Sequence, residues 1–219
     1  MAVLRAAHAL GFDRFKAFAI SYLKNKWSDN LANFARGRIE YPADAIRLAR
    51  RLNINSVLKR ALYELVRADG FREDDNETDF APDTSELPLL VHAREQLVIF
   101  WMRQAVLPPH AKGCYGSEDS QDVWRCAAFL GEAQTLYNTL VHDSNIFEDY
   151  RHDPITGLKA LLDAPWVFGE AWPSGYPKQL PTVETNRLCS ACGKKWRVIW
   201  RRERKKLWDD LNVWFKLKD

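Results

Sequence analysis

The chain has 219 residues, 47% of them hydrophobic and 28% charged, a balance that excludes wholesale disorder and low-complexity classes. Its 32 Lys and Arg against 29 Asp and Glu leave a net charge of +3, an excess too small to argue by itself for nucleic acid as the partner. No apolar run approaches the ~20 residues that span a bilayer, and Arg5, His8 and Asp13 break up the N-terminus too early for a secretory leader. The expectation is an intracellular protein, cytoplasmic or nuclear. There, its four cysteines argue against a disulfide scaffold and leave free thiols or a metal site.

In chain order, the first signal is an internal repeat at an offset of 42 residues. Leu4, Arg5, Ala7 and Leu10 align with Ile46, Arg47, Ala49 and Leu52, and Phe15, Ala19, Ile20 and Leu23 with Val57, Ala61, Leu62 and Leu65. Each copy reads as a helical hairpin turning at Gly11 or Asn53, residue types that tolerate the left-handed backbone ending a helix. Matched apolar stripes predict that the hairpins stack. Pro42 suits the first turn of its helix. An acidic loop follows: between Gly70 and Pro88 seven acids face one base, Arg72, which reads as a solvated linker.

A helix is expected from about Pro88 to Val106, with Leu89, Leu90, Leu97, Val98, Trp101 and Met102 on its apolar side. Residues 107–121 are a Pro- and Gly-containing loop. Another helix is expected over about 121–141, carrying Trp124, Ala128, Leu130, Leu136 and Leu140. Asp153-Pro154 reads as an N-cap and first-turn proline opening a short helix to Leu162. Prolines make 163–182 irregular. The last helix runs from about Cys189 to Phe215, with Trp196, Trp200, Leu207, Leu211 and Trp214 on one face and Glu203 interrupting it. No strand alternation appears, so the fold class is all-α. The organisation is a hairpin repeat over 1–69, a linker over 70–88 and a C-terminal helical region over 89–219.

Three stretches together resemble the region that follows the core of fungal, basidiomycete-type BTB/POZ domain proteins. They are Leu4-Arg5-Ala6-Ala7-His8-Ala9-Leu10-Gly11-Phe12 with Ala19-Ile20 and Leu23; Tyr41-Pro42-Ala43-Asp44-Ala45-Ile46-Arg47-Leu48-Ala49-Arg50 with Leu62-Tyr63-Glu64-Leu65; and Leu188-Cys189-x-x-Cys192 followed by Arg204, Leu207-Trp208, Leu211 and Phe215. Asn212 stands where the family usually has proline. The resemblance implies a non-enzymatic protein–protein interaction module, the partner-binding part of a BTB-type adaptor. The family's α/β core does not precede Leu4 in these residues. A sticky apolar surface around Leu4–Leu23 and self-association through the N-terminal helices are therefore expected.

The chemical candidates are few. Cys189-Ser190-Ala191-Cys192 is a C-x-x-C pair that can present two thiolates to one zinc ion. Cys114 and Cys126 would complete four ligands, with His110 as a substitute; buried or free thiols are the competing reading, with a disulfide behind both. Lys194, Lys195, Arg197, Arg201, Arg202, Arg204, Lys205 and Lys206 face one acid, Glu203. They make a nucleic-acid-binding or transcription-related regulator the alternative function, against a solvated basic face as the plain reading. His142-Asp143 and Glu148 to Asp153 show no common face that would make an acid–base or metal site. No phosphate-binding loop, G-x-S-x-G elbow or H-E-x-x-H motif occurs, so no enzyme is expected.

Overall fold

The computed structural model describes residues 12–34, 37–68, 86–109, 114–116, 126–128, 131–164 and 188–217. All regular structure among them is helical: α1 (Asp13–Lys26), a 3₁₀ turn (Leu31–Asn33), α2 (Pro42–Arg51), α3 (Asn55–Val66), α4 (Leu87–Val106), α5 (Ala133–Asn138) running into a π-turn (Thr139–Asp143), α6 (Ile146–Asp149), α7 (Pro154–Asp163) and α8 (Ser190–Trp214). The all-α expectation holds. Among the described residues no helix is long and apolar enough to cross a membrane. The chain divides into two compact units, Met1–Glu95 with Asp209–Asp219, and Gln96–Trp208.

In the first unit α2 and α3 form the expected hairpin. Asn53 takes the left-handed conformation at φ 52°. The amide of Ile54 donates to the Ala49 carbonyl at 2.8 Å and that of Asn53 to the Arg50 carbonyl at 3.1 Å, the paired bonds of a Schellman cap. Ala45, Ile46 and Ala49 of α2 pack against Val57, Ala61, Leu62 and Leu65 of α3, all buried. Helix α3 also buries charge: Glu64 accepts from Arg60 at 2.6 Å and lies 3.4 Å from Arg67, and the Arg60 guanidinium sits 3.4 Å over the Phe34 ring. Pairing and stacking answer the desolvation of these groups.

The repeat is less symmetric in burial than in sequence. Leu4–Gly11 lies outside the described residues. Of the α1 positions matching Val57, Ala61, Leu62 and Leu65, only Leu23 is buried, and Phe15 is exposed. Most of the acidic stretch also lies outside the described residues. Its end does not: Glu86 is buried with its carboxylate on Arg50, and Leu87 and Pro88 open α4.

The second unit is built around tryptophans. Trp101, on α4, donates its indole N–H to the Phe147 carbonyl at 2.9 Å and stacks on the Phe147 ring at 6.2 Å and 9°. Trp196 and Trp200, one turn apart on α8, contact each other edge-on at 5.6 Å, and Tyr137 of α5 meets Trp196 at 5.7 Å. Asp153 caps α7 as expected, accepting from the Thr156 amide at 3.2 Å.

Three expectations are corrected. Helix α5 starts at Ala133, not near 121: Cys126–Ala128 is non-helical, and Gly131 takes φ 76° just ahead of the helix. Met102 is exposed, because the inward row of α4 is Leu90, Leu97 and Trp101. On α8 the polar residue inside the apolar face is Arg204, not Glu203. Arg204 lies one turn beyond Trp200 and donates to the Ile155 carbonyl at 2.9 Å, whereas Glu203 turns outward to Arg202.

Gly157 makes this packing testable. A Cβ there would lie 2.6 Å from Trp101 Cη2 and 2.8 Å from Tyr150 Cβ. Alanine normally helps a helix by ~0.5–1 kcal/mol over glycine. Here Trp101 is fixed by its hydrogen bond and stacking, so Gly157→Ala is expected to destabilise by ~1–3 kcal/mol through overpacking. Thermal or urea unfolding checks this; a more stable variant would contradict the packing described.

Candidate metal centre

The four cysteines reach one point from three separate segments, all within the second unit. Cys114 lies among the described residues 114–116 and Cys126 among 126–128. Cys189 stands just before α8, and Cys192 lies in its first turn. The i, i+3 spacing of the C-x-x-C pair puts both sulfurs on the same side of that turn. All four Sγ atoms lie within 4.8 Å of one another. Cys114 Sγ is 3.5 Å from Cys189 Sγ and 3.6 Å from Cys192 Sγ. These distances are far beyond the ~2.05 Å of a disulfide, and none of the four cysteines is bridged. They match instead the ~3.8 Å edge of a sulfur tetrahedron around an ion with metal–sulfur bonds of ~2.3 Å.

Each sulfur also accepts a backbone amide. Gly116 N–H donates to Cys114 at 3.3 Å, Tyr115 N–H to Cys192 at 3.3 Å, Cys189 N–H to Cys126 at 3.3 Å and Cys192 N–H to Cys189 at 3.5 Å. Neutral thiols are weak acceptors. A full set of N–H···S contacts suits thiolates, and such outer contacts are what orient and tune metal ligands. Cys189 doubles as the cap of α8, since its sulfur accepts from the third amide of the helix.

Burial works against deprotonation without a cation. It pushes the thiols of Cys114 and Cys192 up from their ordinary range, more than the amides of Gly116 and Tyr115 pull them down. Cys126, Cys189 and Cys192 are buried among Leu188, Tyr137, Leu136 and Trp196; Cys114 is half-exposed. A divalent cation among the sulfurs resolves the conflict, because metal coordination deprotonates thiols outright. The cluster can therefore hold one metal ion.

Sequence reasoning named all four ligands but placed Cys126 in a helix and left the twelve-residue gap from Cys114 unexplained. It missed Tyr115 and Gly116 as amide donors; the glycine two residues after Cys114 was the available signal. Lys195 Nζ stands 5.6 Å over the Tyr115 ring, tying that stretch to α8. His110 lies outside the described residues. His142 is exposed and packs on the Phe147 ring at 5.6 Å, His152 accepts from Arg151 at 3.1 Å, and Asp153 is a helix cap. Among the described residues, no second group of three metal-ligating side chains gathers.

No family model matches the chain, and comparisons with curated proteins and with solved structures yield no similar protein.

The geometry predicts one thiophilic ion per chain. Cobalt(II) added to the reduced, metal-stripped protein should give intense tetrahedral thiolate bands saturating at one equivalent. Cys126→Ser should weaken these bands and lower the melting temperature of the metal-loaded protein. Saturation without thiolate bands, or an unchanged Cys126→Ser spectrum, would contradict a four-sulfur site.

Proposed function

We propose that the chain is a non-enzymatic protein–protein interaction module, the partner-binding part of a BTB-type adaptor, stapled by one structural zinc ion. The observation that carries the interaction reading is the aromatic stripe of α1. Phe12, Phe15, Phe18 and Tyr22 are 55%, 61%, 69% and 63% exposed and fall on adjacent turns of one helical face. Phe12 and Phe15 meet edge-on at 6.3 Å. Only Leu23 of the helix is buried. Contiguous exposed aromatics of this kind mark contact surfaces and supply the anchors that dominate interface energies. The adaptor role rests on the resemblance to the BTB/POZ proteins.

Zinc is favoured over other divalent ions by donor type. Four sulfurs in a tetrahedral arrangement suit zinc or iron and disfavour the oxygen-seeking ions. With all four positions filled by protein, the ion has no open position for substrate or water, the arrangement of a structural rather than a catalytic site. Its role is to fix the start of α8 against the two other cysteine-bearing segments.

The occupant we assign to the α1 stripe is a second copy of the chain, through the same N-terminal helices. Light scattering coupled to size exclusion should show concentration-dependent dimers or larger species. Phe15→Ser/Phe18→Ser should run as a monomer, with the melting temperature of the wild-type chain diluted until it is monomeric, since both rings are exposed. A cleanly monomeric wild-type chain at ~100 µM would overturn the assignment, as would a double variant that associates equally well.

A further inference from the structure

The interaction reading does not use the solvent face of α8. Lys194, Lys195, Arg201, Arg202, Lys205 and Lys206 are all exposed. At 3.6 residues per turn they fall within an arc of about 140° and extend over about 18 Å of helix. From Lys194 to the end of the helix at Trp214 three acids accompany these cations: Glu203, bound to Arg202 at 3.0 Å, and Asp209 and Asp210 beyond Trp208. The helix that carries them is held rigid from beneath by Trp196, Trp200 and Arg204 and at its start by the cysteine cluster.

We propose that this face binds the phosphate backbone of duplex DNA, without reading its bases. Three features select that partner. Val198 is the only exposed apolar residue among the six cations, so the face lacks the anchors that a protein or acidic peptide partner needs. The tryptophans of the helix are turned inward, with Trp196 and Trp200 at 1% and 0% exposure, which removes the stacking platform that single strands use. A straight, rigid row of charge matches a rigid polyanion bearing one charge per ~1.7 Å of axis. The small net charge of the whole chain conceals this, because most of the acids that balance it lie elsewhere in the sequence.

The test is fluorescence anisotropy of the full, metal-loaded chain with a labelled 20-base-pair duplex of random sequence. Six phosphate contacts predict a log–log salt slope near −5 and an affinity loss of about 10³-fold between 50 and 200 mM salt. Scrambling the sequence should leave the affinity unchanged within about twofold. Lys194→Gln/Arg201→Gln/Lys206→Gln should keep the melting temperature and make the slope shallower by about 2.7. No binding at 50 mM salt, a slope that the triple variant leaves unchanged, tighter binding to the matching single strand, or equal competition by polyglutamate at the same charge would each overturn the proposal.

Discussion

The convergence of four sulfurs governs the rest of the second unit. Cys114 and Cys126 are non-helical, each in its own stretch of the chain. Cys189 and Cys192 begin a 25-residue helix. Bringing Cys126 to Cys189, sixty-three residues further on, carries a loop-closure cost in entropy. A metal ion held by the four thiolates, as proposed above, would offset it with directional bonds; structural zinc sites contribute on the order of 10 kcal/mol to folding. The four N–H···S contacts fix which way each sulfur faces.

From that centre the order passes along α8. Capping by Cys189 sets the phase of the helix. The phase places Trp196 and Trp200 inward against Tyr137 and puts Arg204 over the Ile155 carbonyl. It also turns the row of cations outward. One helix thus separates an aromatic interior from a charged exterior, and the cysteine centre fixes the angle at which that division falls. The first unit relies on different means: a Schellman-capped hairpin and a buried Arg60–Glu64–Arg67 group. There α1 contributes one buried residue and leaves its aromatic stripe in solvent.

Local physics was legible in the sequence wherever a residue's conformation is decided by its neighbours. Asn53 ends α2, Pro42 and Asp153-Pro154 open helices, and the apolar spacing of α4 and α8 places those helices within a residue or two. Legibility failed where distant groups decide. The helix read over 121–141 is present from Ala133 on, Leu136 included, yet Cys126 lies in a non-helical stretch where its sulfur accepts from the amide of Cys189, sixty-three residues away. The C-x-x-C pair announced two ligands, but a spacing of twelve cannot show that Cys114 and Cys126 meet. Glu203 and Arg204 are neighbours, so the exchange of buried for exposed turned on about 100° of helix phase. The repeat foretold a second stripe in α1 but not that it would remain uncovered.

The proposed metal centre is open to direct measurement. Zinc K-edge X-ray absorption of the purified full chain tests it. The predicted result is one zinc per chain with four sulfurs at ~2.3 Å and no nitrogen or oxygen in the first shell. A shell containing light atoms, or a folded chain that carries four titratable free thiols and refuses zinc, would contradict it.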